Sequence, residues 1–271
     1  MITFEHEKIS PTTTRIRAPG FELMYLVEGE EKAALIDTSS GLGFLRGYVE
    51  KLTEKPIIVL LTHGHVDHAM GAAEFEEVYM NHADDYIYVQ HADMGFRKDG
   101  LFLCPQKVEE HEIIPAKELS EIRQMAGGDS FCLGGIHIDI YDLPGHTRGS
   151  VVMLLREERV LLLGDACNYL TFLHEPYSTT VTEYKRNLEI LKPQVDGKYD
   201  SVYLSHGPGN GDVGLIDGVI AVCQDIMDGN TDDVPFGFKD SKGFLAKAEI
   251  ERDVRVDGGI GNVIYSKERI F

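Results

Sequence analysis

No stretch of this chain approaches about 18 consecutive apolar residues, and its opening, MITFEHEKIS, carries charge at Glu5, Glu7 and Lys8 without an apolar run. Neither a membrane-spanning helix nor a secretory leader is expected, and with them goes any expectation of membrane contact. Cysteine is scarce. Cys104, Cys132, Cys167 and Cys223 are scattered without CxxC spacing, which argues against a disulfide framework and for reduced thiols in a cytoplasmic protein. Positive charge is in short supply too: 26 Lys and Arg stand against 45 Asp and Glu, a formal net charge of -19 at pH 7. That field repels polyanions, so nucleic acid is disfavoured as a partner and a small-molecule substrate is expected. Internal repeats, linkers and low-complexity stretches are also missing from the 271 residues, a length that α/β folds reach as one domain.

What is present is an ordinary globular mixture, 43% hydrophobic and 26% charged, sufficient for a real core. Glu22 to Val27 and Ala33 to Ile36 form an expected hairpin around a Glu-Gly turn, closed by Asp37 and a Ser/Gly loop. Leu42 to Leu52 has helical spacing. Pro56 opens IIVLLTHGH, a run too continuously apolar for an exposed strand and expected to be a buried one running into a loop. Helices are expected at Met70 to Glu77 and Ala83 to Asp93, on either side of a short strand at Val78 to Met80. Gly135 to Leu143 alternates with period two and leads through Pro144 and Gly145 to His146; the hairpin of Val151 to Leu155 and Val160 to Leu163 leads to Asp165. Val181 to Leu191 is an expected helix capped by Ser178 or Thr180, with Glu183 three residues after Thr180. SVYLSHG then delivers His206. Leu215 to Asp228 is a last helix, and Asp232 to Phe271 a small β-rich tail whose Phe236, Phe238, Phe244 and Tyr265 are suited to pack over the core or onto a second copy of the chain.

The densest chemistry lies in Thr62-His63-Gly64-His65-Val66-Asp67-His68, four potential ligands in six residues directly after the buried strand. Imidazole and carboxylate donors packed this closely suit Zn²⁺, and the glycine between two histidines is expected to let the loop turn tightly. His146, Asp165 and His206 each follow a strand, and α/β sites gather where strand ends meet loops. Turn aspartates and hydrogen-bonded loop histidines are the ordinary alternative for any one of them.

The ordered set resembles the metallo-β-lactamase superfamily, from about Met24 to His206, with His63, His65, Asp67 and His68 on its HxHxDH motif and Asp37 on its early strand-end aspartate. The resemblance implies an α/β four-layer αββα sandwich as a single domain, core about 1–222, with a short β-rich C-terminal extension about 223–271. It implies two divalent metal ions, zinc first with iron or manganese as alternatives. His63, His65 and His146 would hold one, Asp67, His68 and His206 the other, and Asp165 would bridge them. A water activated between two such cations supplies hydroxide near neutral pH, and Asp67 would orient it and carry a proton. Asp37, Thr62 and Thr147 are candidate supports for the ligands, with Ser150 behind them.

Asp165 at the bridging position and the missing export signal argue against a true β-lactamase; the ligand set is closer to glyoxalase II, lactonases and phosphodiesterases. A dinuclear metal-dependent hydrolase of a small ester, thioester, lactone or phosphodiester is therefore expected. The alternative is a mononuclear iron enzyme resembling persulfide dioxygenase. Tyr169, four residues after Asp165, is a candidate proton or hydrogen-bond donor, with packing as the competing reading. Cys167 is expected to be a buried thiol. His6, His82, His91, His111 and His137 have no partner at ligand spacing and fit a surface or a satisfied core; His174, in the loop after Asp165, is a candidate substrate contact.

Overall fold

The computed structural model describes every residue except Met1, Phe102, Leu103, Lys239 and Asp240; the side chain of Phe238, one of the tail aromatics, also lies outside the described set. The chain divides into two compact units. One runs to Ile140 and includes Ser205–Gly207; the other comprises Tyr141–Leu204 and Pro208–Phe271.

The first unit is built on a seven-stranded sheet in sequence order, β1 (Glu5–Lys8), β2 (Thr13–Arg17), β3 (Leu23–Glu28), β4 (Ala33–Ile36), β5 (Ile57–Leu60), β6 (Glu77–Met80) and β7 (Arg123–Gln124). β1 to β4 form an antiparallel meander, and from β4 onward the pairs are parallel. Parallel neighbours need crossovers, and these are α1 (Leu45–Val49), α2 (Val66–Ala69), then α3 (Asp85–Ala92) with α4 (Met94–Gly100). Every residue of β4 is buried, as are the last three of β5, which explains their unbroken apolar sequence. A hairpin of β8 (Ser130–Cys132) and β9 (His137–Asp142) follows.

The helix expected over Met70 to Glu77 is absent: α2 stops at Ala69, a 3-10 turn occupies Ala72–Glu74, and β6 already begins at Glu77. The chain is tied elsewhere. Met70 N donates to Ser39 O at 3.1 Å, and a Cβ on Gly71 would stand 2.3 Å from Thr38 O, so the backbone presses on the loop after β4 instead of continuing its own helical ladder. α1 is likewise shorter than the expected Leu42 to Leu52; its first amides, Leu45 N and Arg46 N, donate to the Glu74 carboxylate.

In the second unit β10 (Val151–Leu155) and β11 (Val160–Leu162) form the expected hairpin, and β11 pairs in parallel with β13 (Ser201–Tyr203), beside β14 (Asn210–Gly211). A separate sheet takes β12 (Thr171–Phe172), β19 (Val263–Tyr265), β16 (Ser241–Leu245) and β15 (Val234–Phe238) in that order, with a small β17 (Glu249–Glu251) and β18 (Val254–Arg255) pair formed by the segment between β16 and β19. The tail is thus β-rich as its sequence suggests. α5 (Val181–Val195) starts at the Thr180 capping box with Glu183 and runs past the expected Leu191, with Pro193 in its last turn. α6 (Leu215–Asp228) has the expected bounds and ends on Gly229 at φ 74. Val181, Tyr184, Leu188 and Leu191 of α5 and Leu215, Val219, Val222 and Ile226 of α6 are buried in one cluster with the β10 and β11 side chains Val152, Leu154 and Leu161.

Candidate metal centre

Because β4 and β5 are parallel and paired in register, Ile36 with Leu60, their C-terminal ends lie side by side. Asp37 leaves β4 at φ 63, a left-handed conformation that Asp tolerates better than most residues, and its carboxylate turns toward the end of β5. There it accepts the Thr62 amide at 2.7 Å and the Thr62 hydroxyl at 2.8 Å. With its proton given to Asp37, Thr62 Oγ1 can only accept from His63 Nδ1, 3.0 Å away. Asp37 Oδ2 also takes Nδ1–H of His68 at 2.8 Å, both side chains being buried. These tautomers follow from the hydrogen-bond network. Both imidazoles are thereby left with Nε2 as the lone-pair atom, the form a metal requires.

α2 then places Asp67 and His68 in consecutive helical positions, with His65 at its N-cap. Rings of His63 and His65 stand 4.6 Å apart, and those of His63 and His68 4.1 Å. His206, on the Ser205–Gly207 segment of the same unit, brings its Nε2 to 3.4 Å from Asp67 Oδ2, and His68 Nε2 lies 3.6 Å from that oxygen. Ligands bound tetrahedrally at Zn²⁺ distances of about 2.0–2.1 Å are separated from one another by about 3.3–3.5 Å, so the donor set of Asp67, His68 and His206 fits a divalent ion. Desolvation on its own would raise the Asp67 carboxyl, but the charges and hydrogen bonds of His68 and His206 outweigh it and hold Asp67 well below the usual carboxylate range.

Gly64 is expected to let the loop turn tightly, and it does so without a left-handed backbone, since it is absent from the glycines with positive φ. It is needed for closeness. A Cβ there would meet the Asp84 backbone oxygen at 3.1 Å and Tyr88 N at 3.3 Å, and its amide donates to Asp84 Oδ2 at 2.9 Å. Two participants escaped the sequence reading. Asp84 is one; the place of His91 beside the motif is the other, for it is the satisfied core histidine expected, buried and with Nδ1 accepting from Val66 N, but its ring stacks on His65 at 4.9 Å and on Phe96 at 4.3 Å. Only an i+7 relation to Asp84 along α3 could have hinted that both face the motif.

In the second unit β9 leads to His146, where a Cβ on Gly145 would come within 2.2 Å of the Tyr184 ring. His146 Nδ1 donates to Phe172 O at 2.9 Å, which again leaves Nε2 as the ligand nitrogen, and Ser178 Oγ donates to His146 O at 2.8 Å. Thr147 and Ser150 hydrogen-bond one another at 2.7 Å, shaping the turn itself. Asp165 follows β11 behind Gly164 at φ 54, and Asn168 Nδ2 approaches its Oδ1 at 3.4 Å. Tyr169 packs its ring on the unit's core; burial raises its hydroxyl above the ordinary phenol range, against a backbone hydrogen bond from Asp212. Cys167 is fully buried, and burial pushes its thiol up to about 12.

Parallel strand ends that carry a histidine and carboxylate cluster at metal-ligand spacing define an α/β protein with a metal-competent site. The family model described as the metallo-beta-lactamase superfamily matches residues 17–215, and the chain belongs to that superfamily. It is similar to an uncharacterized protein of Mycobacterium tuberculosis (strain ATCC 25618 / H37Rv), 33% identical over 125 residues, 44% of this chain and 53% of that protein. The chain thus spans about half the length of its mycobacterial relatives. It is also similar to the acyl-coenzyme A thioesterase MBLAC2 of Gallus gallus, 27% identical over 202 residues, 68% of this chain and 71% of that one. Among solved structures, a metallo-beta-lactamase from Pontibacter korlensis superposes with a TM-score of 0.58 at 20% identity, covering 81% of this chain and 98% of the other. That likeness is one of fold.

Proposed function

We propose that this chain is a metal-dependent hydrolase that cleaves small acyl thioesters and esters, and not a β-lactamase. The observation that carries the reading is the Asp67, His68 and His206 cluster, with Asp37 fixing the His68 ring behind it. By the superfamily's order of ligands, His63, His65 and His146 would hold one divalent ion and Asp67, His68 and His206 a second, zinc in the first instance, with Asp165 as a shared ligand. His146 and Asp165 join the set through their place in the superfamily's order of ligands, and His146 also through its Nε2 tautomer. When bound, such ions polarise a substrate carbonyl and lower the pKa of water to about 7.

The chain's own residues handle the protons. Asp67, kept ionised by its two histidine neighbours against desolvation, accepts a proton from the attacking water and returns it to the departing sulfur or oxygen. Tyr169, which receives the Asp212 amide on its oxygen and stays protonated in the neutral range, is proposed as a proton donor to the acyl oxygen, with packing on the core as its competing role. A C–O bond forms as C–S breaks, giving a carboxylic acid and a thiol. Thioesters come first because the relative named as an acyl-coenzyme A thioesterase aligns over 68% of this chain. No helix among the described residues is long and apolar enough to cross a membrane; the four free cysteines favour a reducing, cytoplasmic setting.

The test is a panel of acyl-coenzyme A thioesters, esters, lactones and phosphodiesters, run with and without oxygen and after chelation. Thioester turnover that needs no oxygen, disappears on chelation, returns with Zn²⁺ and falls about 100-fold or more in Asp67→Asn is expected. Oxygen consumption by a single iron, the persulfide dioxygenase pattern, would replace this reading.

A further inference from the structure

His174 holds no place in the ligand set, yet its surroundings are those of a binding residue. The side chain is 3% exposed, and neither ring nitrogen makes a hydrogen bond. Glu175 Oε1 stands 3.4 Å from Nε2 as an ion-pair contact that makes no hydrogen bond, and it already accepts from the Ser241 hydroxyl. The walls are apolar. The Phe172 ring lies 5.7 Å from the imidazole at 46°, the Phe236 ring 5.6 Å at 77°, and a Cβ on Gly243 of β16 would come within 2.9 Å of His174 Cβ. Burying an imidazole in such a place without a hydrogen bond is unfavourable, and a leucine would fill the volume without that penalty. β12 also links this residue to the proposed centre, because Phe172, two residues before His174, supplies the carbonyl that orients His146.

We propose that His174 is a substrate-binding residue that hydrogen-bonds an uncharged carbonyl or amide of the acyl substrate between Phe172 and Phe236. The proposal rests on the hydrolase reading and narrows it. An anionic group such as a phosphodiester would be drawn out of water beside the Glu175 carboxylate, whereas an ester, thioester or amide brings no charge. Burial favours the neutral ring, which offers one donor and one acceptor, the complement of an amide. Phe172 and Phe236 give the adjoining hydrocarbon an apolar contact.

The test compares metal-loaded wild type with His174→Leu and His174→Gln. A binding role predicts unchanged metal content, a Tm for His174→Leu equal to or above that of wild type, and a loss of about tenfold or more in kcat/KM for an acyl thioester, carried mainly by KM; His174→Gln, which can still hydrogen-bond, retains part of it. A Tm lowered by several degrees with KM unchanged would make His174 a packing residue and overturn the proposal. A second arm follows the ¹⁵N resonances of the His174 ring, assigned by their loss in His174→Gln, on adding S-(2-oxononyl)-N-acetylcysteamine, which keeps the carbonyl but has no cleavable bond. A shift with this ketone and none with diphenyl phosphate is expected. No shift with the ketone overturns the role of His174 whatever the turnover, while a shift without turnover on any ester or thioester supports that role and overturns the hydrolase reading alone.

Discussion

Asp37 does more at the candidate centre than its single side chain suggests, since one carboxylate fixes both Thr62 and His68 and, through Thr62, the His63 ring. Asp37→Ala should weaken metal binding by about 10- to 100-fold while the fold persists; competition against a chromogenic chelator measures this, and unchanged affinity would show that the rings are held by other contacts. Cys167 yields a prediction of the opposite kind. With its thiol pushed up to about 12 by burial, it should resist iodoacetamide in the native protein while exposed Cys132 is alkylated, as peptide mass mapping would show. At this scale the motif was legible because its donors are compressed into six residues. Asp84 behind Gly64, His91 on His65 and the Phe172 carbonyl on His146 were not, for they come from distant segments, and a backbone acceptor leaves no mark in the side-chain sequence.

Among the elements, α5 shows how local chemistry sets a boundary. Thr180 Oγ1 accepts from Glu183 N while the Glu183 carboxylate accepts from Thr180 N, two donors satisfied at once. Thr180→Ala should cost about 1 kcal/mol and lower Tm by about 2–4 °C in a thermal melt, with no change in metal content. Ser178, the other cap considered, is instead buried and bonded to the His146 carbonyl, so Ser178→Ala should act on the site and not on the helix. Ends that are decided locally, such as the start of α5 and both bounds of α6, were readable from the sequence. The helix expected at Met70 to Glu77 was not, because Gly71 and Met70 are claimed by the Thr38 and Ser39 backbone, a tertiary contact that outweighs helical spacing. The exposed β1 and two-residue β7 carry no buried face and therefore no pattern to detect.

For the whole molecule, the α/β class and the superfamily were legible because His63, His65, Asp67, His68, His146, Asp165 and His206 stand in an order that resembles the superfamily's, although the division into two compact units left no signature in composition. Acid stability is a property at this scale. Lys267, then Tyr265 and Thr231, hold the Asp233 carboxyl down at about 2, and Arg255 with the Gly259 amide does the same for Asp257. Both carboxyls bind protons more readily unfolded, near pH 3.9, than folded. Their stabilisation is complete above about pH 4 and is lost as the pH falls toward 2. Asp233→Asn should flatten the fall in Tm between those values; an unchanged slope would show that the pairing with Lys267 contributes nothing in solution.

The central claim is that His63, His65, Asp67, His68, His146, Asp165 and His206 hold two divalent ions. Elemental analysis of protein purified without added metal tests it most directly, with Asp67→Ala and His146→Ala beside the wild type. Two ions per wild-type chain, and at least one lost in each variant with the fold retained, is the predicted result; a wild-type chain that holds no metal, or variants that keep the full complement, would contradict it.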